Sequence, residues 1–309
     1  KRLRRALAER QAFIGVATSA LVANDSKAFL RRFTLRKRLL LGCKHLLRQI
    51  ASAWLRVWWL PLWGTRRRLR AGYFSLDTTW VPTTTEGIDP LLVTKTTRIR
   101  PIHSFDYDKL LDAPNCSDLP QGGLVVIDTM GPFNPDYVMN DIHVPDLKGE
   151  DYYTALSAFL RQLTEVSMLP VAVAAHPRSP RGFIEPYLEG FSVHYGQSIP
   201  LIRDASACVV MGGSTMLGII AYLRKPLVLV TSKSFGPIDR RLVRDYAKLL
   251  GVGVWDADVP VRSWALPLVD REKMDAYARA VVKTPGTPES KFWQVVSADL
   301  AMRKKQSSR

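Results

Sequence analysis

The sequence is poor in cysteine, and its few cysteines lie far apart. Its 309 residues contain three of them, Cys43, Cys116 and Cys208, and no C-x-x-C pair. An odd number of isolated cysteines argues against a disulfide scaffold and against a zinc site, and it is typical of a reducing cytosol. With 19 glycines and 20 prolines, the composition also excludes collagen-like and low-complexity chains.

Several motifs of well-known catalytic sites are absent from the sequence. It has no P-loop, no G-x-G-x-x-G, no G-x-S-x-G elbow and no His/Cys set with zinc-ligand spacing. Asp256-Ala-Asp258 matches the D-x-D of metal-dependent transferases, but it follows a late predicted strand, and we interpret it as a loop. We therefore expect no metal site and no cofactor.

The sequence also lacks a convincing membrane span. Its longest uncharged stretch, Ala205–Leu223, has 19 residues, with Gly212-Gly213-Ser214-Thr215 in its middle. That tetrapeptide favours a strand, a tight turn and a helix over one continuous helix. The first apolar run, Ala12–Ala23, has no small-residue cleavage site and leads into basic chain, unlike a signal peptide. We expect a cytoplasmic protein without a transmembrane helix.

Acidic residues are scarce in the first 72 positions. This part holds 18 Lys and Arg against only Glu9 and Asp25, a net charge of +16. Residues 73–309 hold 26 charges of each sign, so all of the excess positive charge of the chain lies in residues 1–72. A concentrated positive charge predicts an anionic partner for this segment.

Residues 29–70 interleave Arg and Lys with large apolar side chains. Apolar residues at helical spacing predict an amphipathic helix, and four tryptophans fall within ten residues: Trp54, Trp58, Trp59 and Trp63. Indole rings settle at headgroup depth and cations are drawn to anionic lipid, so we expect attachment to the inner face of the cell membrane. Packing against the rest of the fold is the alternative. Nucleic acid is less favoured, because the aromatics form one tight block.

From about residue 121 the pattern repeats strand, loop and helix. Strands are predicted at 123–128, 170–175, 208–211, 227–231 and 252–255, and helices at 150–168, 199–205, 216–223, 239–250, 271–282 and 289–303. Strands that are apolar at successive positions, without apolar and polar residues in alternation, and that are separated by helices predict a parallel sheet covered on both faces. We expect an α/β, Rossmann-like domain over 121–309, a small N-terminal remainder over 73–120, and the basic helical segment over 1–72.

The chemically suggestive residues follow the predicted strands directly. Asp128 ends the first strand, His176 the second, and Gly212–Thr215 the third. The turn would present backbone N–H groups and two hydroxyls at a helix N-terminus, which suits phosphate oxygens, although Ser and Thr are also ordinary N-caps. Because Pro177 follows it, His176 is held in extended backbone, from which its imidazole could donate to a phosphate; a structural role is the alternative.

These residues carry a resemblance. Val171–Arg178, Tyr195–Ser198 with Ile202–Ala205, Val209–Thr215 and Arg224–Val230 resemble segments of bacterial surface-polysaccharide glycosyltransferases of the GT-B fold. The nearest in kind are the sialyl-, polysialyl- and Kdo-transferases, with a His-Pro motif and a later Ser/Thr pair. The resemblance covers roughly residues 121–235.

The resemblance implies a donor site. In those families the two motifs bind the nucleotide and phosphate of a CMP-activated sugar, and transfer to a glycan or glycolipid needs no metal. By position, His176 would contact the donor phosphate, Pro177 would shape its turn, and Ser214 and Thr215 would bind phosphate after Gly212 and Gly213. From its charge we add Arg178, which could offset phosphate charge or be an ordinary surface arginine.

The general base and the N-terminal domain remain open. The acidic-acidic-Gly motif of the sialyl- and polysialyltransferases is absent, and the candidates are Asp106 and Asp108, beside His103, or Asp128. Residues 1–120 are short for a first GT-B domain, so we expect a reduced or truncated one, with strands at 12–16 and 91–94. A GT-B-like nucleotide-sugar epimerase and a non-catalytic, membrane-associated nucleotide-sugar-binding protein are the alternative functions.

Overall fold

The computed structural model describes residues 15–17, 78–81, 97–114, 122–133, 148–233, 235 and 237–307. The chain divides into a sheet unit, Asp106–Val282, and a terminal unit, Lys1–Phe105 with Lys283–Arg309. Residues 29–70 and the predicted strand at 91–94 lie outside the described residues. Membrane attachment, the reduced N-terminal domain and the division into three segments at residues 72 and 120 therefore stay predictions.

The elements follow one another in a regular alternation through most of the described chain. The strands are β1 (Gly15–Ala17), β2 (Thr78–Val81), β3 (Arg98–Pro101), β4 (Leu124–Ile127), β5 (Val171–Ala175), β6 (Ser192–Tyr195), β7 (Ala207–Met211), β8 (Leu227–Thr231) and β9 (Gly253–Asp256). The helices are α1 (Phe105–Asp112), α2 (Gly149–Ser167), α3 (Ser198–Asp204), α4 (Met216–Tyr222), α5 (Pro237–Leu250), α6 (Arg271–Val281) and α7 (Phe292–Ser307). Of the helices in the described ranges, none combines the length and the apolar character needed to span a bilayer.

The sheet unit is built on one six-stranded sheet with the order β6-β5-β4-β7-β8-β9. All neighbouring strands are parallel, and Ile127 of β4 lies opposite Ala174 of β5 and Val210 of β7. The chain builds outward from β4 to β6 and then crosses back to β7, which is the Rossmann strand order. The predicted α/β class with a Rossmann-like sheet in the C-terminal half is confirmed.

Burial on both faces explains the apolar strands. Every residue of β4, β5 and β7 is buried. On one face, α2 packs Leu156, Phe159, Leu160 and Leu163 into the core cluster that holds alternate residues of the central strands. Because the chain covers both faces of the inner strands, an unalternated apolar run predicted them correctly. The edge strand β6 is only half-buried, and the sequence did not predict it.

The terminal unit has a small parallel sheet of its own, in the order β1-β2-β3. The predicted strand at 12–16 overlaps β1, whereas β2 and β3 were not predicted. Its described core consists of Ile102, Phe292 and Val296. Asp299 of α7 accepts from Arg303 at 2.7 Å and lies 3.5 Å from the guanidinium of Arg100, so charged groups are paired within this unit.

Candidate functional site

The carboxyl ends of β4, β5 and β7 meet at the centre of the sheet. β4 pairs with both of the others, because the chain leaves β4 on one side and returns to it on the other. Connections diverge at such a position, and parallel α/β sheets bind ligands in the crevice that this creates. The spacing of adjacent strands, about 4.8 Å, places the ends of β5 and β7 roughly 10 Å apart.

The turn that follows β7 is an open part of this crevice. Gly212 adopts φ +82°, which favours glycine, and its N–H donates to Val230 O at 3.1 Å. Gly213 and Thr215 are exposed, and Ser214 is half-buried. The hydroxyl oxygen of Ser214 accepts from Met216 N at 3.2 Å, so it also caps the first turn of α4.

Thr129 joins the two central strands at this edge. Its hydroxyl donates to Met211 O at 2.7 Å and lies 3.6 Å from where a Cβ on Gly212 would stand. The loop after β4 and the turn after β7 are therefore in contact. Sequence reasoning missed Thr129, although its place directly after Asp128 at a strand end was a usable signal.

His176 directly follows β5, on the other side of β4 from the turn. It is half-buried, and its Nδ1 accepts from Arg178 N at 3.1 Å. Because Nδ1 is the acceptor, the neutral ring carries its proton on Nε2 and can donate from that atom. Pro177 and Arg178 are exposed beside it. The structure thus brings His176, Arg178 and the Gly212–Thr215 turn to one edge of one sheet.

A second network holds the loop that follows His176. The carboxylate of Glu185 accepts from Tyr195 Oη at 2.6 Å and from Gly182 N at 2.7 Å. The guanidinium of Arg181 lies 4.5 Å from the centroid of the Tyr195 ring. Desolvation is the largest single influence and works against the charge of Glu185, but the hydrogen bonds and Arg181 together lower its pKa. The loop is therefore fixed at the surface by a charged side chain.

Asp128 lies beneath the crevice rather than in it. The residue is 2% exposed; Oδ1 accepts from Tyr152 Oη at 2.9 Å and Met130 N at 3.1 Å, and Oδ2 accepts from Tyr153 Oη at 2.9 Å. Burial raises its pKa, although the hydrogen bonds from Tyr153 and Tyr152 oppose that shift. These contacts tie the loop after β4 to α2. A role for Asp128 as general base stays a prediction.

The structure does not bring Asp106 and Asp108 to the crevice. Both lie in the first turn of α1, where Lys109 Nζ donates to Asp106 at 2.7 Å. Tyr107 packs against Tyr222, at the end of α4 that precedes β8, and Arg203, just before β7, donates to the carbonyl of Leu110. Helix α1 therefore packs near the amino ends of the strands, while the turn lies at their carboxyl ends. His103 belongs to the terminal unit.

Aromatic side chains surround the central loops, and the sequence did not predict this cluster. The Phe235 ring lies 3.8 Å from where a Cβ on Gly212 would stand and stacks with Tyr152, their centroids 6.5 Å apart. Phe133 and Phe183 pack edge to face at 5.2 Å. In the described parts of the chain, no group of three or more His, Cys, Asp or Glu residues could hold a metal ion.

No protein-family model and no curated protein matches this chain. Solved structures with some similarity do exist. CalG4, the calicheamicin glycosyltransferase, has 14% identity and a TM-score of 0.41 over 89% of this chain and 65% of its own. Acinetobacter baumannii MurG has 10% identity and a TM-score of 0.30, over 75% of this chain and 62% of MurG. The glycotransferase of kitacinnamycin has 14% identity and a TM-score of 0.34, over 98% of this chain and 78% of that protein. The chain thus spans less than two thirds of the length of CalG4 and of MurG.

Proposed function

We propose that the sheet unit binds a nucleotide-sugar donor and that the protein is a glycosyltransferase. The observation that carries the proposal is the strand order, which puts His176 and the Gly212–Thr215 turn on either side of β4 at the carboxyl edge. The motif resemblance supports the finer proposals: a CMP-activated donor, transfer to a bacterial surface glycan or glycolipid, and no need for a metal ion.

Each group at the edge has a role toward the phosphate. The turn offers backbone N–H groups and the hydroxyls of half-buried Ser214 and exposed Thr215 to phosphate oxygens. His176 donates from Nε2, the atom that carries the ring proton when Nδ1 accepts from Arg178 N. Arg178 adds a positive charge at the exposed side of the same loop. Together these groups stabilise negative charge that grows on the departing nucleotide.

In the proposed transfer, an acceptor hydroxyl oxygen bonds to the anomeric carbon of the sugar. The bond from that carbon to the phosphate oxygen breaks, its electron pair stays on the nucleotide, and the hydroxyl proton goes to a base. Neither Asp106 nor Asp108 lies at the carboxyl edge, and Asp128 is buried beneath it. The proposal therefore names no residue as this base, and a role for Asp128 stays a prediction.

Donor binding tests the proposal directly. We expect CMP, UDP or GDP to bind in calorimetry, and His176→Ala or Ser214→Ala to weaken that binding about tenfold, since each removes one hydrogen bond to a charged group. His194→Ala is the matched control, because His194 is a half-buried histidine on β6 that pairs with Ser192 away from the turn. Absence of binding by all three nucleotides, or equal binding by all variants, contradicts the proposal.

Product analysis then separates the alternatives. A transferase converts the donor only when an acceptor glycan is present, whereas an epimerase changes the donor sugar alone. A protein without catalytic activity binds the nucleotide and leaves both donor and acceptor unchanged. Incubation of a sugar nucleotide with and without acceptor, followed by mass spectrometry, distinguishes the three outcomes.

Attachment to anionic membrane is a separate proposal, supported by the sequence of residues 29–70. The net charge of +16 in residues 1–72 should bind the protein to phosphatidylserine vesicles. We expect co-sedimentation at low salt that falls steeply as salt screens the charges. Vesicles of phosphatidylcholine alone are the control, and equal binding to both vesicle types at all salt concentrations contradicts an electrostatic attachment.

A further inference from the structure

A cavity of about 510 Å³ opens at the β9 edge of the sheet unit, three strands away from β4. It is lined by residues 254–256, 259–263 and 265, which belong to β9 and to the segment that follows it. This edge cavity contains none of the residues discussed for the nucleotide site. Its volume lies within the range of about 300–1,000 Å³ that is usual for small-molecule sites.

The apolar side of the edge cavity is built around an indole. Trp255 is half-buried, and the ring of Trp264 packs edge to face against it, with the centroids 5.5 Å apart. This contact fixes the orientation of the Trp255 ring. Val254 and Pro260 add apolar surface to the lining. A flat, fixed aromatic ring at an open cavity offers a surface on which a ligand with an apolar face can lie.

Polar groups of opposite charge complete the lining. The carboxylate of Asp256 is held in place because its Oδ1 accepts from Asp258 N at 3.0 Å. Arg262 is exposed and brings a planar fork of donors, and Ser263 brings a hydroxyl. One carboxylate and one guanidinium offset each other, so the lining has no net charge and combines acceptors with donors.

The walls are anchored by hydrogen bonds from the rest of the sheet unit. Val261 N donates to the side chain of Gln162 on α2 at 3.0 Å, and Ala257 N donates to Thr231 O of β8 at 2.8 Å. Val259 N donates to Asp256 O at 3.0 Å. Because these contacts hold the segment after β9, a ligand does not have to order the segment when it binds.

We propose that the edge cavity binds a neutral sugar ring. The C–H face of a pyranose lies against the indole of Trp255, and its hydroxyls donate to Asp256 and accept from Arg262. An aromatic face beside an acceptor and a forked donor matches the alternating apolar and polar sides of a sugar. The proposal does not depend on the glycosyltransferase assignment, since the edge cavity shares no residue with the donor site.

Saturation-transfer NMR on the whole protein tests this proposal, with D-glucose, D-galactose and N-acetyl-D-glucosamine as probes. We expect transfer to the ring protons of at least one of them. Arg262→Ala should weaken binding about fivefold and Trp255→Ala about tenfold, whereas Trp255→Phe, which keeps a flat ring, should retain most of it. Trp293→Ala is the control, since Trp293 is an exposed tryptophan of the terminal unit.

Three results would overturn the proposal. These are absence of transfer to all three sugars, transfer that is unchanged in both Arg262→Ala and Trp255→Ala, and binding of N-acetylneuraminic acid alone, because an exclusively anionic ligand does not fit a lining without net charge. If circular dichroism shows that Trp255→Ala does not fold, the exposed Arg262 carries the test. His176→Ala should leave the sugar signals unchanged, which separates this cavity from the nucleotide site.

Discussion

The loops after β4 and after β5 each depend on a carboxylate that accepts hydrogen bonds from tyrosine, and the two carboxylates behave differently. Asp128 is 2% exposed and is bonded by Tyr152 and Tyr153, whereas Glu185 is half-buried and is bonded by Tyr195. Burial raises the pKa of Asp128 despite its two tyrosines. Desolvation also opposes the charge of Glu185, but there the hydrogen bonds and Arg181 together outweigh it, and the pKa of Glu185 is lowered.

At the buried Asp128 desolvation outweighs the hydrogen bonds, whereas at the half-buried Glu185 the hydrogen bonds and Arg181 outweigh desolvation, so the depth of burial decides the direction of the shift. The two carboxylates also hold their loops in place in different ways. Asp128 fastens the loop after β4 to α2 from inside the core, where water cannot replace a lost partner. Glu185 fastens the loop that carries Arg178 from the surface, where water can replace a lost hydrogen-bond partner. Three comparisons of variants test this contrast.

Removal of the two carboxylates should give the largest effect. Asp128→Ala leaves two buried tyrosine hydroxyls and Met130 N without their acceptor, and we expect the free energy of unfolding to fall by about 3–5 kcal/mol. Glu185→Ala should cost about 1 kcal/mol or less, since its donors become hydrated. Urea denaturation measures both, with Asp128→Asn as a milder control. Equal losses for the two alanine variants would remove the contrast.

A pair of glycines gives a smaller effect in the same two loops. A Cβ on Gly131, at φ +43°, would stand 2.7 Å from the Tyr152 ring, while a Cβ on Gly182, at φ +81°, would meet nothing within 4 Å. Gly131→Ala combines overpacking with backbone strain and should cost about 2–3 kcal/mol. Gly182→Ala carries the backbone strain alone, about 1 kcal/mol. Thermal unfolding of both variants checks the order, and a greater loss for Gly182→Ala contradicts it.

The sequence predicted the parts of the fold and site that depend on local pattern. The inner strands could be predicted because burial on both faces leaves a continuous apolar run, as in Val171–Ala175, and His176 and the turn could be placed because they follow such runs. The environment of Asp128 could not be predicted, since its partners Tyr152 and Tyr153 lie 24 and 25 residues further along the chain. The half-buried β6 lacked the apolar pattern altogether.

The smallest effect should be a difference in pH dependence. Because the pKa of Asp128 is raised above 3.8 in the folded protein, the folded state binds its proton more tightly, and the stability that this gives is lost as pH rises above about 4. The pKa of Glu185 is lowered below 4.5, so its contribution is present at neutral pH and is lost as pH falls through that range. Urea unfolding from pH 3.5 to 7 should therefore show the stability difference between wild type and Asp128→Asn falling with pH, and that between wild type and Glu185→Gln rising. Neither slope can exceed one proton, about 1.4 kcal/mol per pH unit. Slopes of the same sign would show that burial does not distinguish the two carboxylates.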